Sequence, residues 1–221
     1  MRRLFSYIAL LGFALNAWSY NERGNSGFTI ICENPEENKF YDAYEAEHRY
    51  YLTPVYPKFK GDSCLTDGQC LDSAIIIARE FLERLPEGEL KEHALLRLKD
   101  FVLEVNIKNN IEILPVNDIG IGFIPRKCTL RQTIVQRVPI FVEDFRYIIA
   151  NDYWKLLSTR QKAVGIVHEI LYGYYAVLKI QPESSEKVRY LNALVISGKI
   201  KNFTEQRYLK TIQQVYSKNE N

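Results

Sequence analysis

STRQKAVGIVHEILYGYYAVLKIQP, residues 158–182, decides how this chain folds. Ser158 and Gln161 form a Ser-x-x-Gln capping box, which satisfies the first orphan amides of a helix. Gln181-Pro182 stops that helix near Ile180, because proline can neither donate to the ladder nor fit inside it. Between these limits Ala163, Val164, Ile166, Val167, Ile170, Leu171, Tyr174, Val177 and Leu178 cover most of the circumference. A helix apolar on nearly all sides belongs in the middle of a domain. Gly165 and Gly173 leave room for close approach by another backbone, at some cost in helix propensity.

The rest of the chain supplies the layers around it. Downstream, Ser184-Ser185-Glu186 opens a helix with Val188, Leu191, Leu194 and Val195, which Gly198 ends. Residues 204–217 predict a last amphipathic helix with Tyr208, Ile212 and Val215, and Ser217–Asn221 a frayed tail. Upstream, a helix is expected from Asp72 or Ser73, ended by Pro86-Glu87-Gly88. A second follows with Leu90, Ala94, Leu98, Phe101, Val102 and Val105 on one face, giving a helical hairpin with His93 beside the stripe. Phe28–Cys32, Ile111–Leu114, Ile119–Ile124 and Thr133–Val142 read as strands. The fold class expected is α+β: a small antiparallel sheet, from strands near 28–32 and 111–142, packed on a buried central helix with flanking helices.

The N-terminus reads as an export signal. Arg2-Arg3 precede the apolar run Ile8–Leu15, and Ala17-Trp18-Ser19 supplies a small-x-small exit, with cleavage expected after Ser19. The run is shorter than the about 20 apolar residues a spanning helix needs, so no stable membrane insertion is expected after cleavage. Residues 20–221 then form one globular domain, with 20–27 and 217–221 as flexible ends. Of 29 basic residues two are in the signal, leaving 27 against 27 acidic ones. A formally neutral domain has no electrostatic footprint for nucleic acid. All four cysteines, Cys32, Cys64, Cys70 and Cys128, lie beyond the signal, as suits two disulfides in an oxidising compartment. Four cysteines allow three connectivities; the preferred one pairs Cys64 with Cys70 locally and Cys32 with Cys128 across the domain. No Cys-x-x-Cys spacing supports a metal site.

One motif carries a suggestion of chemistry. His168-Glu169-Ile170-Leu171-Tyr172 matches the first two positions of the zincin motif His-Glu-x-x-His, in which histidines at i and i+4 bind zinc and the glutamate activates water. Tyr172 stands where the second histidine would be, leaving one strong ligand where catalytic zinc needs three. Two readings follow. His168, Glu169 and Tyr172 are a buried polar cluster, bonded to each other and to partners such as Arg189, and no cofactor is needed. Alternatively they are the catalytic group of a degenerate zincin-like hydrolase, whose cofactor would be zinc. Gly120-Ile121-Gly122 lacks the third glycine of a phosphate loop. Tyr41, Tyr44, Tyr50 and Tyr51 lie in a tyrosine-rich stretch, Phe40–Tyr56, that serves either as a recognition surface or as a packed layer with wet hydroxyls.

The chain resembles a group of uncharacterised exported proteins of predatory Bdellovibrio-type bacteria. The likeness is carried by Gly24-Asn25-Ser26-Gly27 before a strand ending in Cys32, and by Pro125-x-x-Cys128 followed by Gln132. It continues with Gln161-x-Ala163, His168-Glu169-x-x-Tyr172 and the Ser185-x-x-Val188-Arg189 helix. The resemblance implies a periplasmic or secreted protein, favours the Cys32–Cys128 pairing, and brings no activity with it. In that group the motif also ends in tyrosine. The function expected is a non-enzymatic structural or binding role in the cell envelope, with an envelope protein as partner and no nucleic acid.

Overall fold

In a computed structural model of the chain, residues 27–58, 66–114, 118, 120–141, 143–180, 182 and 184–217 are described. Residues 1–26, which include the signal expected at 1–19, lie outside them, as do Cys64 and the last four residues.

The fold is α+β, with a five-stranded mixed sheet and seven α-helices among the described residues. β1 (Gly27–Cys32) leads through a 3-10 turn (Pro35–Glu37) to β2 (Lys39–Phe40) and α1 (Tyr41–His48). The hairpin of α2 (Asp67–Leu82) and α3 (Glu89–Glu104) runs directly into β3 (Val105–Lys108). Then come β4 (Cys128–Gln136), β5 (Tyr147–Ala150), α4 (Asn151–Trp154), α5 (Thr159–Val177), α6 (Glu186–Ile196), a 3-10 turn (Lys199–Asn202) and α7 (Glu205–Tyr216). The strand order is β2-β1-β4-β5-β3.

α5 is the central helix the sequence predicts. Fifteen of its 19 residues are buried. Ser158 Oγ accepts from Gln161 N–H at 3.3 Å, the first half of the capping box. The second half is not made, because the Gln161 carboxamide is used in tertiary structure. Its Oε1 accepts from Phe40 N–H at 2.9 Å, and its Nε2 donates to the Tyr56 hydroxyl at 2.9 Å. Gly165 meets the Phe40 ring so closely that an added Cβ would lie 2.8 Å from Cε2. Tyr175 OH donates to Val215 O and Tyr216 OH to Leu171 O, docking α7 on the far side.

Six expectations need correction. The sheet is mixed: β3 pairs parallel with β5, Val105 opposite Tyr147, while the β1–β2, β1–β4 and β4–β5 pairs are antiparallel. Val105 fits the apolar stripe of α3 yet begins β3, because strand pairing with β5 overrides a helical period that one residue cannot contradict. The described residues of 111–114 and 119–124 form no strand; Gly120 O and Gly122 N–H find side-chain partners instead of a ladder. The strand read over 133–142 is displaced to Cys128–Gln136, and beyond it Arg137 N–H donates to Arg146 O as the chain turns back. α2 starts at Asp67 and not near Asp72, because Thr66 Oγ1 accepts from Gln69 N–H and caps it earlier. Gly27, read as part of a flexible end, opens β1 opposite Ile134, where a Cβ would lie 2.4 Å from the Ile134 Cβ.

Cys32 and Cys128 face each other in the β1–β4 register and are joined by a disulfide. Cys70 is disulfide-bonded as well.

Candidate functional site

His168 and Glu169 are both fully buried, and they face different neighbours. Successive residues of a helix point about 100° apart. His168 faces α1 and α6: its Nδ1 lies 2.5 Å from Asp42 Oδ2. Asn192 Nδ2 donates to the same oxygen at 2.7 Å and to Val164 O at 3.1 Å. Glu169 is near enough to Tyr147 of β5 for its charge to help raise that phenol, and near enough to His168 for its charge to help raise that imidazole. Burial is the larger cause at Tyr147, and its hydroxyl is pushed up to about 12. Tyr172, one turn on from His168, is buried with its ring nearly parallel to the imidazole, centroids 6.1 Å apart.

A zincin centre requires histidine and glutamate at one metal-bound water in an open cleft. Here His168 presents Nδ1 to a buried carboxylate, and neither it nor Glu169 reaches an open cleft. Among the described residues, the only three ligand-type side chains close enough to share a metal are Cys32, Glu37 and Cys128. Two of those three are bonded to each other. The donor set around His168 therefore does not fit zinc.

Arg189 is buried, as expected of a structural residue, but its hydrogen bonds go elsewhere than to the His168 motif. Its Nε donates to Glu45 Oε2 at 2.5 Å, its Nη2 to Gly120 O at 3.0 Å, and its Nη1 to Ser185 Oγ at 2.6 Å and to Asp118 Oδ2. Asp118 is held further by Ser185 N–H at 3.1 Å and the Ser185 hydroxyl at 2.5 Å. Arg49 adds a second cation: it donates to Glu45 Oε1 and to Gly120 O at 2.9 Å each, and pairs with Glu186. Burial works against the Arg189 charge, but Glu45, Asp118 and Asp42 outweigh it and hold the guanidinium firmly protonated. Burial pushes Glu45 up, with Arg189 and Arg49 opposing.

These bonds turn residues 118–124 into a strap. The Tyr41 hydroxyl accepts from Gly122 N–H at 2.7 Å, so the chain is pinned at positions 118, 120 and 122. Outward-facing Ile121 is 36 % exposed and Phe123 73 %. Ile124 packs back on Tyr41, Phe28 and Ile30, together with Tyr44.

The predicted tyrosines divide. Tyr41 is buried beneath the strap, its phenol raised to about 12, chiefly by burial. Tyr44 is half-buried and stacks on His48, centroids 4.1 Å apart. Tyr50 is half-buried, edge-on to Tyr190. Tyr51 is 87 % exposed. Asp42, Glu45, Asp118 and Asn192 escaped the sequence reading. A usable sign was present: Asp42 and Glu45 at i, i+3 on α1, each followed by alanine, match Arg189 and Asn192 at i, i+3 on the apolar side of α6.

No helix among the described residues is long and apolar enough to cross a membrane. No family model, curated protein or solved structure matches the chain.

Proposed function

We propose that this chain is an exported protein of the cell envelope or its surroundings, with a structural or binding role and no hydrolytic one. The observation that carries the reading is the burial of His168 and Glu169, with the His168 Nδ1 taken up by Asp42. A hydrolase must bring its base and its electrophile to one atom of a substrate that can reach them. These two side chains are sealed in the interior, and the group around His168 holds three helices together.

The contact face in this proposal is the strap with its tyrosine neighbours. Exposed Ile121 and Phe123 flank Gly122, which is anchored on the buried Tyr41 hydroxyl, and Tyr44 with His48 lies on the adjoining helix. Rigidly held, half-exposed aromatic groups make contact area at low entropic cost. An envelope protein is the partner proposed for it. The disulfide and the export signal read from residues 1–19 support a periplasmic or secreted location.

The test is zinc content and affinity of the purified protein, wild type beside His168→Ala and Glu169→Ala. Absence of stoichiometric zinc, with both variants melting at lower temperature, is expected. Stoichiometric zinc lost on His168→Ala and kept on Glu169→Ala would overturn the reading in favour of a zincin-like hydrolase.

A further inference from the structure

Asp42 is a carboxylate sealed in the core, and among the described residues its one cationic hydrogen-bond partner is His168. The guanidinium nearest in charge, Arg189, directs its donors to Glu45, Asp118, Ser185 and Gly120. Asn192 bonds to Asp42 but carries no charge. An ionised carboxylate taken out of water is costly unless a cation compensates it. Three buried carboxylates thus stand on the α1–α6 side, and Arg189 contacts only two of them.

We infer that the His168–Asp42 pair is a proton-operated latch between α1, α5 and α6, closed while the imidazole carries both protons and loosened when it loses one. The proton lost is the one on Nε2, which passes to solvent. Nδ1–H stays with Asp42, so the hydrogen bond survives while the charge compensation disappears. Nε2 has no hydrogen-bond partner among the described residues. It lies on a ring bordered by Phe40 of β2 and Tyr172 of α5, each with its centroid 6.1 Å away.

The groups facing the ring agree with this. Burial works against the second proton, and Asp42 of α1 outweighs it through charge and hydrogen bond. Glu169 of α5 adds to the upward push and Arg189 of α6 opposes it, leaving His168 above the ordinary 6.5. A folded-state value above the unfolded one means that the stabilisation is complete below about pH 6.5 and is lost as pH rises through the folded value. His93 behaves oppositely, lowered by burial and then by Arg97 and Arg146.

The experiment is a histidine NMR titration of the full chain from about pH 5.5 to about pH 10, spanning the imidazole range, paired with thermal melts over the same range. The three histidines are assigned by subtraction with His48→Gln and His93→Gln, which leave the latch untouched. His168 is expected to titrate above 6.5, and the melting temperature to fall through the same interval. Asp42→Asn should move the His168 midpoint down. Should Asp42→Asn not fold, the wild-type titration and melts decide alone. A His168 midpoint at or below 6.5 overturns the latch, and so does a melting temperature that stays flat while the ring titrates.

Discussion

Helix α5 and the strap at 118–124 are built inside out relative to each other. α5 carries the residues that look like chemistry, His168 and Glu169, and hides both. The strap carries apolar residues, Ile121 and Phe123, and shows them, while its polar groups at 118, 120 and 122 point inward to Arg189, Arg49 and Tyr41. A motif match reports residue type and spacing only. What a side chain can do is fixed by which neighbours close over it, and here the surrounding helices close over the motif while the strap lies outside them.

The sharpest way to break this contrast is to remove the charge that serves the strap. Arg189→Ala strands the Asp118 carboxylate in the interior and leaves Glu45 to Arg49 alone. A loss on the order of 3–5 kcal/mol is expected, as when one partner of a buried pair is removed, read by urea denaturation. Next in size is Cys32→Ser with Cys128→Ser, which opens a loop of 96 residues. It should cost about 2–4 kcal/mol, with the secondary-structure content kept in far-UV circular dichroism. Gly165→Ala tests the tight side of α5. A Cβ 2.8 Å from the Phe40 ring should cost about 1–3 kcal/mol, and Phe40→Leu should recover part of it in a double-mutant cycle. Smallest of all, Phe123→Ser should change stability by less than about 0.5 kcal/mol. A loss as large as that of Arg189→Ala would mean that Phe123 belongs to the core, and the contrast would fall.

The sequence made α5 legible because cap, period and stop all agree over 25 residues. The α2–α3 hairpin was legible for the same reason, and Gly198, with φ +71°, ends α6 where a left-handed residue is needed. β3 was hidden because four residues following a helix carry too little period to announce a strand. The strap reads as strand because Ile119, Ile121 and Phe123 alternate with glycines, yet its inward amide and carbonyls are met by groups about 70 to 80 positions away. No local pattern encodes such a distance. The motif itself was visible at once, but Asp42 was not: its partner lies 126 residues on, within a tyrosine-rich helix where an acid looks like a solvated one. Of the tyrosines, Tyr41 is packed in the core and Tyr51 stands exposed, a division that residue type alone does not encode.

The pairing of β1 with β4 also sets an order of events. Ribosomes deliver the N-terminal side first, at roughly 5–20 residues per second. Phe28-Thr29-Ile30-Ile31 is therefore made about 96 residues ahead of the strand that covers it, a delay on the order of 5–20 s. During that interval a β-branched, apolar segment has one edge empty and only the two-residue β2 on the other, the profile of a segment prone to pair with other chains. The nascent chain is thus most vulnerable before residue 128 exists, and a holding chaperone would act on the first strand.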